Sequence, residues 1–298
     1  MPPQGRRLMR DDLRPSHIVE RKRKKAKRIF LVFVAVFFLV VGAVVYIFRL
    51  PTFQISSVEI TGNKVIDTKD IQAVVDPILS QKYLFVFPKN NFLIYPQAEI
   101  FDALEKKFPR AEYINLSLQG QKLVIEMKER GGRFLWCGDA PTLLVNDEEC
   151  YFTDGRGYIF DNAPYFSDNV YLKIYGIRSS GEETIIGSKV LSEDLFLKAV
   201  NLRTVLYEKG VHSVALFLKP DGDYEFLLTH PSSDRTNRPR VIFSKNGDYA
   251  TIANNLISAL ENEPLKTDFK EKYSQLEYLD VRFDKKVLFK FKEVDNAD

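Results

Sequence analysis

The longest apolar stretch of the chain lies near its N-terminus. Residues 29–48 read IFLVFVAVFFLVVGAVVYIF and contain no charged side chain. At about 1.5 Å of helical rise per residue, a run of this length spans the roughly 30 Å hydrocarbon core of a bilayer. The pattern predicts one transmembrane helix. A cleaved signal peptide is the alternative, but the run is longer than a usual signal core and ends in bulky residues instead of a small-residue cleavage site.

Residues 51–130 follow strand and helix periodicities in turn. Ile71, Val74, Val75, Ile78 and Leu79 form one apolar stripe of a helix that Asp67 or Thr68 would cap. The order strand, helix, helix, strand, strand predicts a small α+β module with its helices against a three-stranded sheet. The predicted strands are 53–60, 113–118 and 123–127; the first predicted helix carries its apolar stripe over 71–79, and the second covers 96–107.

Residues 131–294 predict a mixed antiparallel β domain with flanking helices, followed by a short tail at 295–298. The domain closes with two strands, in the first of which Leu279, Val281 and Phe283 alternate toward the core. The predicted helices are 193–208 and 248–261. The predicted strands are 133–137, 143–146, 150–153, 158–160, 170–175, 212–218, 224–228, 240–244, 276–283 and 287–291.

The charge on either side of the apolar run predicts its orientation. Residues 1–28 carry eleven lysines and arginines and three acidic residues, a net charge of +8, whereas the whole chain is +3. Basic flanks of a membrane helix stay in the cytoplasm. We therefore expect a cytoplasmic tail at 1–28, and everything after residue 48 outside the cytoplasmic membrane. Orientation and attraction to anionic lipid account for the tail without nucleic acid.

Cys137 and Cys150 are the only two cysteines. They flank a predicted hairpin with a turn at Asn146-Asp147, and in an oxidising compartment a pair at this spacing can form a disulfide. Two free buried thiols are the alternative. A metal site is not expected, because the sulfurs lack neighbouring histidines.

The chain carries no recognisable catalytic motif. Gly-x-Ser-x-Gly, Ser-x-x-Lys and His-Glu-x-x-His are all absent from the sequence. The three histidines, His17, His212 and His230, do not have the spacing of metal ligands. Asp154-Gly155-Arg156-Gly157 is too short for a phosphate loop and predicts a hairpin turn. We expect no enzymatic activity, no cofactor and no small-molecule substrate.

Several segments together resemble one protein family over residues 18–292. Phe53-x-Ile55-x-x-Val58-x-Ile60-x-Gly62-Asn63 resembles the opening of the POTRA domain in FtsQ/DivIB-type bacterial cell-division proteins. The strand pair ending in Lys128-Glu129-Arg130, the following Trp136 and the terminal strand Leu276-Glu277-Tyr278-Leu279-Asp280-Val281-Arg282-Phe283 resemble later parts of the same family. The chain departs from the family at Cys137-Gly138, which replaces a Pro-Val or Pro-Ile step, and at an apparent insertion over 179–189.

The resemblance implies a non-enzymatic membrane scaffold at the division septum. Such proteins bind the extracytoplasmic parts of FtsB-type and FtsL/DivIC-type division proteins. Binding is expected by strand addition, since a terminal strand offers free backbone groups to a partner strand. The candidate partner-binding residues are Tyr278, Arg282, Val287, Phe289 and Phe291; the alternative is that they only complete the sheet. A POTRA-bearing secretion or envelope-assembly factor is a second hypothesis, and a cell-wall enzyme or sensor is a third.

Overall fold

The fold is a mixed α+β arrangement with one apolar N-terminal helix and a large mixed sheet. The computed structural model describes residues 16–141, 149–166, 170–178, 184–229, 238–283 and 285–292, with side chains from residue 21 onward. The predicted strand at 143–146 with its turn, His230, the first part of the 179–189 insertion and the 295–298 tail lie outside the described residues.

The described residues fall into two compact units. Unit 1 contains the residues up to Thr61 together with Asp67–Leu104 and Asn115–Glu126. Unit 2 contains Gly62–Ile66, Glu105–Ile114 and the residues from Met127 onward.

The N-terminal helix α1 spans Ser16–Phe48. Its portion Arg21–Phe48 is long and apolar enough for a membrane span or a signal sequence, with a mean hydropathy of 3.0 over its most apolar window. None of that window is buried inside the protein. The helix begins well before the apolar run, so part of the basic tail is helical.

The next elements have the predicted order, with a small hairpin added between the two helices. They are β1 (Ser57–Thr61), α2 (Thr68–Leu79), β2 (Lys82–Tyr83), β3 (Phe87–Pro88), α3 (Gln97–Lys107), β4 (Ala111–Gln119) and β5 (Lys122–Glu129). A three-stranded sheet has the order β1-β5-β4, and β2 pairs with β3 alone. The first strand begins at Ser57 and not at the predicted Phe53: Phe53 belongs to a 3-10 turn, and Gln54 forms an isolated bridge with Asn91.

Helix α2 illustrates why these residues fold as they do. The Asp67 carboxylate accepts a hydrogen bond from the Lys69 backbone N–H at 2.9 Å, which satisfies one of the free donors at the helix start. Ile71, Val75 and Leu79 are four residues apart and buried, so one face of the helix joins the core of unit 1.

Unit 2 contains a nine-stranded sheet in the order β14-β13-β12-β11-β10-β9-β6-β7-β8. Three of its strand pairs, β6–β9, β9–β10 and β12–β13, are parallel, and the other five are antiparallel. Its elements are β6 (Phe134–Trp136), β7 (Cys150–Thr153), β8 (Ile159–Ala163), β9 (Leu172–Gly176), α4 (Glu193–Glu208), β10 (Ser213–Leu218), β11 (Asp223–Leu228), β12 (Arg240–Ser244), α5 (Tyr249–Glu261), α6 (Leu265–Glu271), β13 (Leu276–Phe283) and β14 (Lys286–Phe291).

The main core of unit 2 lies between this sheet and its helices. Phe196 of α4 and Leu256 of α5 are fully buried against strand residues such as Phe226 and Phe243. A smaller apolar cluster takes the intervening strand positions, including Leu135 and Tyr175. Because strand side chains alternate between faces, the two clusters occupy opposite faces of the sheet.

The closing strand differs from the predicted alternation at one end. Leu279 and Val281 are buried as predicted, but the inward placement of Phe283 is wrong, since its side chain is 46% exposed. The register of β13 against β14 shifts between Asp280 and Phe283. This irregularity breaks the alternation of faces before the strand ends.

Candidate partner-binding edge

The strand β14 forms one edge of the nine-stranded sheet. It pairs antiparallel with β13, with Leu279 opposite Phe289 and Asp280 opposite Leu288. Within the described residues no strand pairs with its other side. An edge of this kind presents backbone N–H and C=O groups to which an extended segment of another chain can bind.

Three of the predicted partner-binding residues point to the core side of β14. Val287, Phe289 and Phe291 are half-buried and pack against the main core of unit 2. The rings of Phe289 and Phe291 lie 5.9 Å apart in an edge-to-face arrangement. These side chains therefore stabilise the sheet and also form an apolar border that an added strand would extend.

The opposite face of β14 is basic. Leu288 is 46% exposed, and it lies between the exposed Lys286 and Lys290 on the same face. Lys290 forms an ion pair with Glu277 at 2.8 Å. Residues 285–292 contain four lysines and no acidic residue. Lysines on an edge strand oppose non-specific pairing, and opposite charge on an incoming strand would be favourable.

Tyr278 lies one strand inside the edge. Its register partners are Arg240 on β12 and Lys290 on β14, and its side chain is half-buried. The ring therefore stands in a row with two basic residues. A partner that covers the edge can reach Tyr278 only over Lys290.

Arg282 is held by two carboxylates of its own chain. Its Nε and Nη2 donate to Asp280 at 2.9 and 2.6 Å, and its Nη1 donates to Asp223 of β11 at 2.6 Å. The guanidinium thus links β13 to β11 past the end of β12. The predicted partner anchor is 38% exposed at its side chain, so it can contact a partner only from within this ion-pair network.

The same network lowers the pKa of Asp280. Only 4% of this residue is exposed. Burial by itself would raise the pKa of Asp280, but the hydrogen bonds from Arg282 outweigh burial and hold the pKa below its ordinary value. The pKa of Arg282 is raised, chiefly by its hydrogen bond to Asp280. Both groups are therefore charged at neutral pH.

The sequence does not indicate that Asp223 belongs to this cluster. It indicates only the pairing of Asp280 with Arg282, because side chains two residues apart on one strand share a face. Asp223 is 59 residues from Arg282 in the chain. It belongs to the cluster only because β11 and β13 lie two positions apart in the sheet.

Cys137 and Cys150 form a disulfide, with the two Cα atoms 4.2 Å apart. Cys137 follows β6 and Cys150 begins β7, and these strands are antiparallel neighbours with Trp136 opposite Tyr151. The bond therefore joins the ends of two paired strands. The indole N–H of Trp136 donates to the Gly176 carbonyl at 3.1 Å, which ties β6 to the end of β9.

Across the described ranges, no three histidine, cysteine or carboxylate side chains come together in a way that could hold a metal ion. No protein-family model matches the chain, and no curated protein matches it.

Proposed function

We propose that this protein is a non-enzymatic, membrane-anchored scaffold of the bacterial division machinery, of the FtsQ/DivIB type. In this proposal α1 crosses the cytoplasmic membrane once, with the basic tail inside the cell. Residues 51–130 form a POTRA domain and residues 131–294 the β domain, both outside the membrane. The protein gathers FtsB-type and FtsL/DivIC-type partners at the division septum.

The observation that supports this proposal most directly is the edge position of β14. A partner segment added there would form a tenth strand next to Val287, Phe289 and Phe291. Main-chain hydrogen bonds would provide affinity, and side chains on alternating positions would provide specificity. The proposed docking reaction needs no catalytic group or cofactor.

The side chains of β14 indicate what kind of strand fits. One face is apolar and continuous with the core, and the other carries Lys286 and Lys290. The matching segment alternates apolar residues with acidic ones. Because the proposed partners share one membrane with α1, their effective concentration is high, so a short strand contact is sufficient.

A proline scan of two edge strands tests the proposal. Phe289→Pro in the full-length protein removes a backbone donor from β14, and we expect it to abolish co-purification of FtsB-type and FtsL/DivIC-type partners. Tyr113→Pro is the matched control, because Tyr113 is an exposed residue of β4, an edge strand of the three-stranded sheet. The control is expected to retain the partners.

A charge-reversal variant covers the case in which Phe289→Pro does not fold. Lys286 and Lys292 are both exposed, so the double change to Glu leaves the core intact. We expect weaker partner binding with a reduced dependence on salt. Normal partner recovery with both the proline and the charge variant would show that the binding edge is elsewhere.

A further inference from the structure

The β2–β3 hairpin ends in two large apolar side chains. Lys82 pairs with Pro88 and Tyr83 with Phe87, and the Val86 N–H donates to the Tyr83 carbonyl at 3.0 Å. Leu84 and Phe85 occupy the turn and are 82% and 93% exposed. They are more exposed than any large apolar side chain described in α1, where Leu39 reaches 72%.

The backbone of this turn does not favour these residues. Leu84 and Phe85 have φ angles of +49° and +62°, and they are the only non-glycine residues with positive φ in the described part of the chain. A turn with positive φ at both central positions is formed most easily by Asn-Gly. Water also disfavours two bare apolar side chains. Neither local conformation nor solubility explains their presence.

The hairpin is fixed to the C-terminal end of α1. The side-chain Nε of Arg49 donates to the Val86 carbonyl at 3.3 Å, and the Asn91 side-chain amide donates to the Phe48 carbonyl at 3.0 Å. The rings of Phe48 and Phe87 pack edge to face, 5.6 Å apart. Phe85 directly precedes Val86, so its Cα lies about 3.8 Å from an anchored residue.

This attachment places the turn at the level of the membrane surface if α1 spans the bilayer. The apolar run of 20 residues is about 30 Å long as a helix, which is the full thickness of the hydrocarbon core. Phe48 is the last residue of that run, so it lies at the outer boundary of the core. The side chains of the turn then lie at the boundary between acyl chains and headgroups.

The residues around the turn are those typical of a membrane interface. Tyr46 is 69% exposed and Tyr83 is 36% exposed; tyrosines are enriched where hydrocarbon meets headgroups. Arg49 and Lys82 are exposed cations that suit lipid phosphates. Lys89 also lies near the Tyr83 ring, but its ammonium is paired with Glu99 at 2.7 Å.

We infer that the β2–β3 hairpin inserts Leu84 and Phe85 into the outer leaflet of the membrane that α1 crosses, with Arg49 and Lys82 at the lipid phosphates. The inference rests on the membrane crossing in the proposed function and adds a second lipid contact. Two contacts fix the angle of unit 1 against the bilayer, which a single helix does not do. The proposed binding partner of the β2–β3 turn is therefore the lipid bilayer itself.

Tryptophan reporters in the full-length protein test this contact. Leu84→Trp and, separately, Phe85→Trp are reconstituted into phosphatidylcholine–phosphatidylglycerol vesicles that contain lipids brominated either near the headgroup or near the chain end. Phe38→Trp reports on the middle of α1, and Tyr207→Trp replaces a 52% exposed ring on α4 as a surface control. The native Trp136, 5% exposed, is subtracted with the unaltered protein.

The two turn reporters are expected to show blue-shifted emission and strong loss of intensity with headgroup-proximal bromine. Phe38→Trp is expected to respond most to bromine near the chain end, and Tyr207→Trp to neither lipid. If Phe38→Trp is quenched and both turn reporters are not, the hairpin inference is wrong while the membrane anchor stands. If Phe38→Trp is not quenched, the membrane anchor and the hairpin inference are both wrong. Equal quenching at Tyr207→Trp would mean general adhesion and would also overturn the inference.

Discussion

Asp280 shows how a single buried carboxylate is maintained in this fold. It accepts two hydrogen bonds from the guanidinium of Arg282, and Arg282 is in turn held by Asp223. A buried charge is tolerated only when it is paired and hydrogen-bonded. The arrangement keeps the end of β13 in register with the inner strands, next to the proposed binding edge.

Asp280→Asn is expected to destabilise the protein at neutral pH. The pKa of Asp280 is lower in the folded protein than its ordinary value, so its contribution is complete above about pH 4, the value for an unfolded Asp. That contribution is lost as pH falls through the lower folded pKa. Replacement should cost about 1.5–3 kcal/mol at pH 7, as for hydrogen bonds to charged groups. Denaturant unfolding measured from pH 7 downward checks the value.

The pH dependence of this stability difference shows whether it comes from the charge of Asp280. The difference in unfolding free energy between the unaltered protein and Asp280→Asn should narrow below pH 4. Asp102→Asn is a suitable control, because Asp102 is an exposed residue of α3, outside the Asp280–Arg282–Asp223 network. A difference that stays constant down to the lowest accessible pH would show that the effect comes from packing and not from charge.

Replacing Leu84 and Phe85 is expected to have the opposite effect, a gain in stability. Leu84→Asn with Phe85→Gly places residues that tolerate positive φ at the two strained positions. In detergent solution the double variant should be more stable by about 1 kcal/mol. Urea unfolding measures the change. Leu93→Asn, at a 59% exposed position outside the turn, should give no such gain; a loss in the double variant would contradict the proposed strain.

At the scale of elements, the Cys137–Cys150 bond is expected to stabilise the β6–β7 pair. The two residues are 13 apart in the chain, and closing a loop of that length is worth about 3 kcal/mol. Replacing both with Ser should lower the unfolding free energy by about 2–3 kcal/mol, measured in denaturant without reductant. Thiol labelling of the folded protein without reductant should give no signal, and full labelling would contradict the bond.

The sequence predicts isolated helices well because their signals are local. Helix α4 spans Glu193–Glu208, the range that its apolar spacing predicts. Helix α6 and the β2–β3 hairpin are missed. Helix α6 has only seven residues, too few for a clear period, and each strand of the hairpin has two. Elements this short are specified by the contacts around them rather than by their own pattern.

At the scale of the whole molecule, the order of strands could not be predicted. The sequence predicts a mixed antiparallel domain, but β12 pairs with β13 and β6 pairs with β9 in parallel, and both pairings join segments far apart in the chain. These pairings place β14 at the edge of the sheet. The candidate residues on β14 can be identified from the sequence, while the role of Asp223 depends on the sheet order.

The central claim, a division scaffold acting through β14, is tested most directly by depleting the protein in its source cells and following division by fluorescence microscopy. Cells that express a fluorescent full-length copy should show it at the septum. We expect depleted cells to stop dividing and elongate, the Tyr113→Pro copy to restore division and the Phe289→Pro copy to fail. Normal division after depletion, with the fluorescent protein spread evenly around the envelope, would contradict the account.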